Sequence, residues 1–171
     1  MSSDQRRLSL SDLNLDELSL AFTNWEGGLF DPVTGDVYII GGGEVLGLEN
    51  PDIDPDAEGW IRIDGDESWT GYRDMEDFTA AVNDPVARER LERSLDGRGA
   101  FLRFKNQIAE ISEALRRSWF AYSDAVVEIR VIDWLVQIDL ISEAEAEADA
   151  AKEQRVRGRS RHLTWLLGGD Q

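Results

Sequence analysis

The run DGRGAFLRFK, residues 96–105, has the residue types of an anion cradle: Gly97 and Gly99 stand on either side of Arg98, with the cations Arg103 and Lys105 close behind. Backbone amides at a helix N-terminus attract anions, and cations beside them strengthen the pull. On a helix turning about 100° per residue, Phe101, Phe104, Ile108 and Ile111 fall on one stripe. Arg98 and Lys105 lie along one edge of that stripe and Arg103 points away, so the three cations do not converge. A tight connection followed by a helix with two buried phenylalanines accounts for the run, and a small anion site on Arg98 and Lys105 is the alternative. Neither a G-x-x-x-x-G-K-[ST] run nor a G-x-G-x-x-G after a strand is present, which excludes the usual nucleotide cradles.

Carboxylates offer two further constellations. Asp52, Asp54, Asp56 and Glu58 alternate as calcium ligands can, but an EF-hand loop needs Gly at its sixth position and Glu at its twelfth. Counted from Asp52 those places hold Ala57 and Ile63; counted from Asp54 they hold Gly59 and Gly65. A solvated loop is expected there, and no metal site. Asp74, Glu76 and Asp77 in DMEDF could divide acid and base work if their surroundings separated their pKa values, yet helical spacing spreads them over the polar side. Arg116 and Arg117 beside Trp119, Phe120 and Tyr122 have the make-up of a base-stacking surface, although an aromatic helix face turned into the core explains them without a ligand. There is no cysteine and a single histidine, His162. Thiolate chemistry is therefore excluded, and a triad with an oriented imidazole has no convincing base. No catalytic residue and no cofactor is assigned.

Thirty-five acids against 18 Lys and Arg leave a net charge of −17 over 171 residues. Such a field repels phosphate backbones and disfavours general nucleic-acid binding. The length suits one domain with an appendage. Near the start, LSLSDLNLDELSLAF is broken by Asp12, Asp16 and Glu17, so neither a signal peptide nor a membrane span is expected, and a cytoplasmic location is.

The elements that must position these residues follow from apolar spacing. Residues 12–22 suit a short amphipathic helix on Leu13, Leu15, Leu18 and Leu20, behind an Asp or Ser cap. Residues 28–41 read as a β-hairpin around DPVTG, with positive φ at Gly35. WIRID supplies a third strand, with Ile61 and Ile63 toward the covered face. Between them GGGEVLGLENPDIDPDAEG reads as a long exposed loop. From residue 68 the period becomes helical, with Tyr72, Met75, Phe78, Thr79 and Val82 inward. Asn83, Asp84 and Pro85 end that helix and start another, which stops at Gly97. A third helix begins near Gly99. A longer one runs from Ser112 to about Ile138, carrying a core stripe of Val127, Val131, Trp134, Leu135 and Ile138. The segment SEAEAEADAAKEQRVRGRSRH has acids first and arginines last, an order that complements an exposed helix; LTWLLGG follows it.

WIRI, YRDMEDF, GRGAFLRFK, WFAY and VIDWL, in this order over residues 12–141, resemble a bacterial uncharacterised protein family marked by a G-R-G-A-F-x-x-F-K signature. FDPVTGDVYII resembles the opening hairpin of that family. The resemblance implies one α+β unit in a bacterial cytoplasmic protein, and brings no reaction, cofactor or catalytic residue with it. The glycine-rich acidic loop and the segment after residue 141 depart from the pattern.

The expected fold is α+β: a small antiparallel sheet of about three strands packed by four to five helices, in one domain over residues 1–141. Residues 142–171 form a projecting charged appendage and tail. The expected function is a non-catalytic, acidic protein–protein interaction module. Its partner contacts lie on Arg155, Arg157, Arg159 and Arg161 with Leu163, Trp165, Leu166 and Leu167, basic residues beside a Trp-Leu cluster. Two alternatives stand beside it. One is a nucleic-acid-associated protein using the basic tail with Arg98, Arg103 and Arg116; the other is a carboxylate- or metal-dependent enzyme.

Overall fold

Alternating apolar residues over the first third of the chain, and apolar residues every three to four positions after it, give a small sheet and a set of helices. The computed structural model describes residues 7–65 and 68–159. Strands β1 (Gly28–Phe30), β2 (Val37–Gly41), β3 (Glu44–Val45) and β4 (Ile61–Ile63) form an antiparallel sheet in the order β3-β2-β1-β4. Helices α1 (Leu15–Thr23), α2 (Ser68–Ala81), α3 (Pro85–Ser94), α4 (Ala100–Ile111), α5 (Glu113–Gln137) and α6 (Glu143–Arg159) complete an α+β architecture. Among the described residues the small antiparallel sheet has four strands, where about three were expected. β3 lies within the stretch read as loop, joined to β2 through Gly42 and Gly43, whose φ values of 64° and 80° are the two positive values a two-residue hairpin turn demands. Two residues are too few to show alternation.

The chain forms two compact units, one of Met1–Asp66 with Val127–Asp149 and one of Glu67–Val126 with Ala150–Gln171. In the first, β1 pairs with β2 and β4 so that Phe30 opposes Val37 and Ile61, and Gly28 opposes Ile39 and Ile63. This face packs against Leu18, Ala21 and Phe22 of α1 and against Val127, Val131 and Leu135 of α5. Trp134 meets Phe22 and Phe30 edge to face, each at 5.6 Å. Of the stripe expected here, Val127, Val131 and Leu135 are buried, Trp134 is partly buried, and Ile138, also partly buried, lies just past the end of α5. At the far end of this core the Leu10 amide donates to Glu145 Oε1 at 2.7 Å, and Ala146 packs on the same cluster.

The first helix begins later than expected. Residues 10–12 make a 3-10 turn whose Asp12 carboxylate accepts from the Ser9 amide and hydroxyl, both at 2.9 Å. With Asp12 so engaged, Asn14 caps α1 by accepting from the Glu17 amide at 3.2 Å. Leu18 is buried and Leu20 exposed, because residues two apart cannot share a helix face.

The second unit is built on an aromatic triad. Phe78, Phe104 and Trp119 meet pairwise at 6.5, 5.3 and 4.9 Å, all edge to face. Met75, Val82, Ala87, Leu91, Leu95 and Ile108 close around them. Asp84 caps α3 by accepting from the amides of Val86 and Ala87, with Pro85 in the first helical position. Three side chains depart from the expected pattern. Asp74 is buried rather than on the polar side, since it stands one turn before Phe78. Phe120 is exposed, with the Arg116 guanidinium 5.5 Å from its ring centre. Phe101 is 41% exposed; it stands at the edge of the face on which Ala100, Phe104 and Ile108 are buried.

Truncating Phe104 to Ala is therefore expected to cost about 3–5 kcal/mol, and truncating Phe101 less than half of that, measured by urea unfolding. Equal losses would place Phe101 in the core and contradict this packing.

Candidate functional site

The glycine-bracketed run is closed by one arginine. α3 ends with the Leu95 amide returning to Glu92 O at 3.1 Å, and a helix end leaves carbonyls without intrahelical donors. Arg103, four residues into α4, reaches back to them. Its Nε donates to Ser94 O at 3.1 Å and its Nη2 to Gly97 O at 3.3 Å. Nη2 also donates to Asp96 O, and Nη1 to Arg98 O. Gly97 and Gly99 take φ values of 72° and 77°, and Gly99 is the N-cap of α4. The guanidinium thus fastens the end of α3 to the start of α4.

Arg98 and Lys105 are exposed. Neither has an ion pair or a side-chain hydrogen bond among the described residues. Of the other cations weighed for nucleic acid, Arg103 is engaged on carbonyls and Arg116 lies 3.3 Å from Glu113 while covering Phe120. The side chains of Arg155, Arg157 and Arg159, and the whole of Arg161, Leu163, Trp165, Leu166 and Leu167, lie outside the described residues.

A second polar cluster, unannounced by any motif, surrounds residues 24–27. Asn24 Nδ2 donates to Gly27 O and Ile40 O at 2.8 and 2.7 Å. The Glu26 carboxylate accepts from the amides of Gly42 and Gly43 at 2.9 and 2.8 Å, and its carbonyl accepts from Arg62 at 3.0 Å. At Gly65 the chain passes so close that an added Cβ would stand 2.0 Å from Asn24 O. The Gly43 amide, then the Gly42 amide, hold the Glu26 carboxyl below the usual glutamate range against an opposing push from burial, with Arg62 adding to the lowering. Close by in sequence, Tyr38 stacks on Trp60 at 4.6 Å and 6°. Burial pushes the Tyr38 phenol up, helped by the charges of Asp36, Asp31 and Glu49. The legible trace of the Glu26 cluster was the run of glycines after Ile40, two of whose amides need an acceptor.

In the acidic loop the polar side chains turn on their own backbone: Asn50 Oδ1 accepts from Asp52 N and Asp54 Oδ1 from Asp56 N, both at 3.1 Å. Among the described residues no group of three or more His, Asp or Glu side chains is placed to hold a metal ion. Glu76 and Asp77 face solvent, apart from the buried Asp74. No described helix is long and apolar enough to cross a membrane.

Residues 37–166 match the model of a family described as Uncharacterised protein family (UPF0158). The matched span takes in all five sequence blocks from Trp60 to Leu135 and leaves β1 outside it. No curated protein and no solved structure matches the chain.

Replacing Arg103 with Met, which keeps the stem and removes the fork, is expected to lower stability by about 1–3 kcal/mol and to speed amide exchange around residues 95–99. An unchanged melting temperature would show the clasp to be dispensable. Because the folded Glu26 carboxyl titrates below its unfolded value, its stabilisation is complete above about pH 4.3 and is lost as pH falls through the folded value. Wild type should therefore exceed Glu26→Gln in urea midpoint at neutral pH, and the gap should close on acidification; a gap independent of pH would refute the assignment.

Proposed function

The chain belongs to the uncharacterised protein family UPF0158, and from that premise we propose that it is a non-catalytic, acidic interaction module whose C-terminal segment contacts a partner protein. The observation that carries this reading is the distribution of cations. In the body most of the arginines with defined contacts serve the structure. Arg7 donates to the carbonyls of Asp139 and Leu140, and Arg62 and Arg103 to the carbonyls named above. Arg90 bonds Gln107 and Glu110, and Arg93 bonds Glu89. The segment from Lys152 instead strings Arg155, Arg157, Arg159 and Arg161 ahead of Leu163, Trp165, Leu166 and Leu167 in a chain of net charge −17. Trp and Arg dominate the residues that carry binding energy at interfaces, and a basic, apolar segment suits an acidic groove.

Carboxylates support the same reading, because the well-defined ones act as caps: Glu26 on a turn, Asp31 on the Val33 amide at 2.8 Å, Asp84 on α3. A bacterial, cytoplasmic setting and G-R-G-A-F-x-x-F-K as the family's mark belong to this proposal.

Two full-length variants test it as baits beside wild type in quantitative pull-downs: Arg155, Arg157, Arg159 and Arg161 changed together to Gln, and Trp165→Ala combined with Leu166→Ala. Each is expected to lose the retained partner by about tenfold or more. Full retention on both would move the binding determinant elsewhere, and retention of nucleic acid with steep salt dependence would favour the phosphate-binding alternative.

A further inference from the structure

We propose that the first two turns of α4 carry a second docking surface, one that takes an acidic, amphipathic segment of a partner protein, with its apolar side chains on Phe101 and Leu102 and its carboxylates on Lys105 and Arg98. Phe101 and Leu102 are 41% and 67% exposed, and they are the only neighbours in sequence among the exposed large hydrophobics of the described residues. Elsewhere in the same unit exposed rings are covered by the protein's own cations. Arg73 lies over Trp69 and Arg116 over Phe120, each 5.5 Å from the ring centre. Among the described residues no cation covers Phe101. Its ring is nonetheless held in place, because α2 presents Gly71 to it; a Cβ there would stand 3.1 Å from Phe101 Cε1. The missing methyl lets the ring edge rest on the α2 backbone.

Lys105 is four residues after Phe101 and three after Leu102, which makes it the neighbour of both on the helix surface. One turn away on either side stand Phe101 and Ala109, so its own helix offers no counter-charge there. Arg98 precedes the α4 cap, likewise exposed and without an ion pair among the described residues. Among the described residues, Lys105 without an ion pair beside an uncovered apolar pair, with Arg98 exposed just ahead of the helix, is locally complementary to carboxylates interleaved with apolar side chains. A nucleic acid held through its phosphates would use the cations alone and leave the apolar pair uncovered. The chain's own apolar residues 163–167 follow four arginines, which would meet Lys105 and Arg98 with like charge. The mode is that of an amphipathic helix laid on an apolar strip, and it does not rest on the tail contact.

The probe is a fluorescein-labelled synthetic peptide with leucines at i, i+3, i+4 and i+7 and glutamates between them, titrated with the full chain and read by anisotropy. Wild type is expected to bind it and to reject the version with lysine for glutamate. Lys105→Glu and Leu102→Ser should each weaken binding by about tenfold or more, while Lys105→Arg retains it. Both side chains face solvent, so the variants should keep the wild-type melting temperature, which separates lost binding from lost folding. Equal binding by wild type and both variants, or equal affinity for the lysine peptide, would overturn the proposal. Binding that emerges only in Trp165→Ala with Leu166→Ala would overturn it too, by assigning the surface to the chain's own tail. Self-association abolished by Leu102→Ser would do the same, by assigning it to a second copy.

Discussion

Carbonyl groups left over where helices and turns end are the constraint around which this protein is arranged. Each must find a donor, and the chain supplies guanidinium groups from a distance. Arg103 gathers the carbonyls after α3, Arg7 holds those of Asp139 and Leu140 after α5, and Arg62 holds that of Glu26. At the α5 corner Asp139 takes a φ of 57°, a conformation that L-residues adopt sparingly, and Arg7 donates to its carbonyl at 2.6 Å. The planar fork of arginine suits this work better than a lysine point charge. By contrast the carboxylate pairs Arg93 with Glu89 and Arg117 with Glu113 are solvent-exposed, where such pairs contribute about 0–1 kcal/mol.

Two apolar clusters stand behind these fastenings, and each uses aromatic edges in the same manner. Trp134 bridges Phe22 and Phe30 in one; Phe78, Phe104 and Trp119 interlock in the other. Edge-to-face pairs add about 0.5–1.5 kcal/mol beyond area burial, and they fix ring orientation as well. α5 contributes to both clusters, with Trp119 in one half and Val127, Val131 and Leu135 in the other.

Periodicity made much of this legible. The stripe on α5, the inward residues of α2, the Asp84–Pro85 helix start and the DPVTG turn with Gly35 at a φ of 85° all follow from spacing and turn chemistry. What spacing could not convey was depth and reach. A helical wheel puts Phe101 on the same stripe as Phe104, yet Phe101 stands at the exposed edge of the face that buries Ala100, Phe104 and Ile108. Asp74, read with its polar neighbours Glu76 and Asp77, instead shares the buried face of α2 with Phe78, one turn on. Arg103, which the wheel turns away from the other cations, proved to bind the loop behind it, a contact that depends on a reversal of the chain at Gly97 and Gly99. For the candidate sites, the sequence showed the cations of α4, while their uncovered apolar neighbours emerged only from burial.

Residues 24–27 fasten both ends of the excursion that leaves β3 and returns in β4: Glu26 holds the turn at Gly42 and Gly43, and the same segment meets Arg62 and Gly65. Lengthening a loop between anchored ends is cheap, about 0.6 kcal/mol for each doubling. A change in the length of the arc from Leu46 to Trp60 is therefore expected to leave strand register in place. A change of length there leaves the four-residue anchor, with its hydrogen bonds to Gly42, Gly43 and Arg62, untouched.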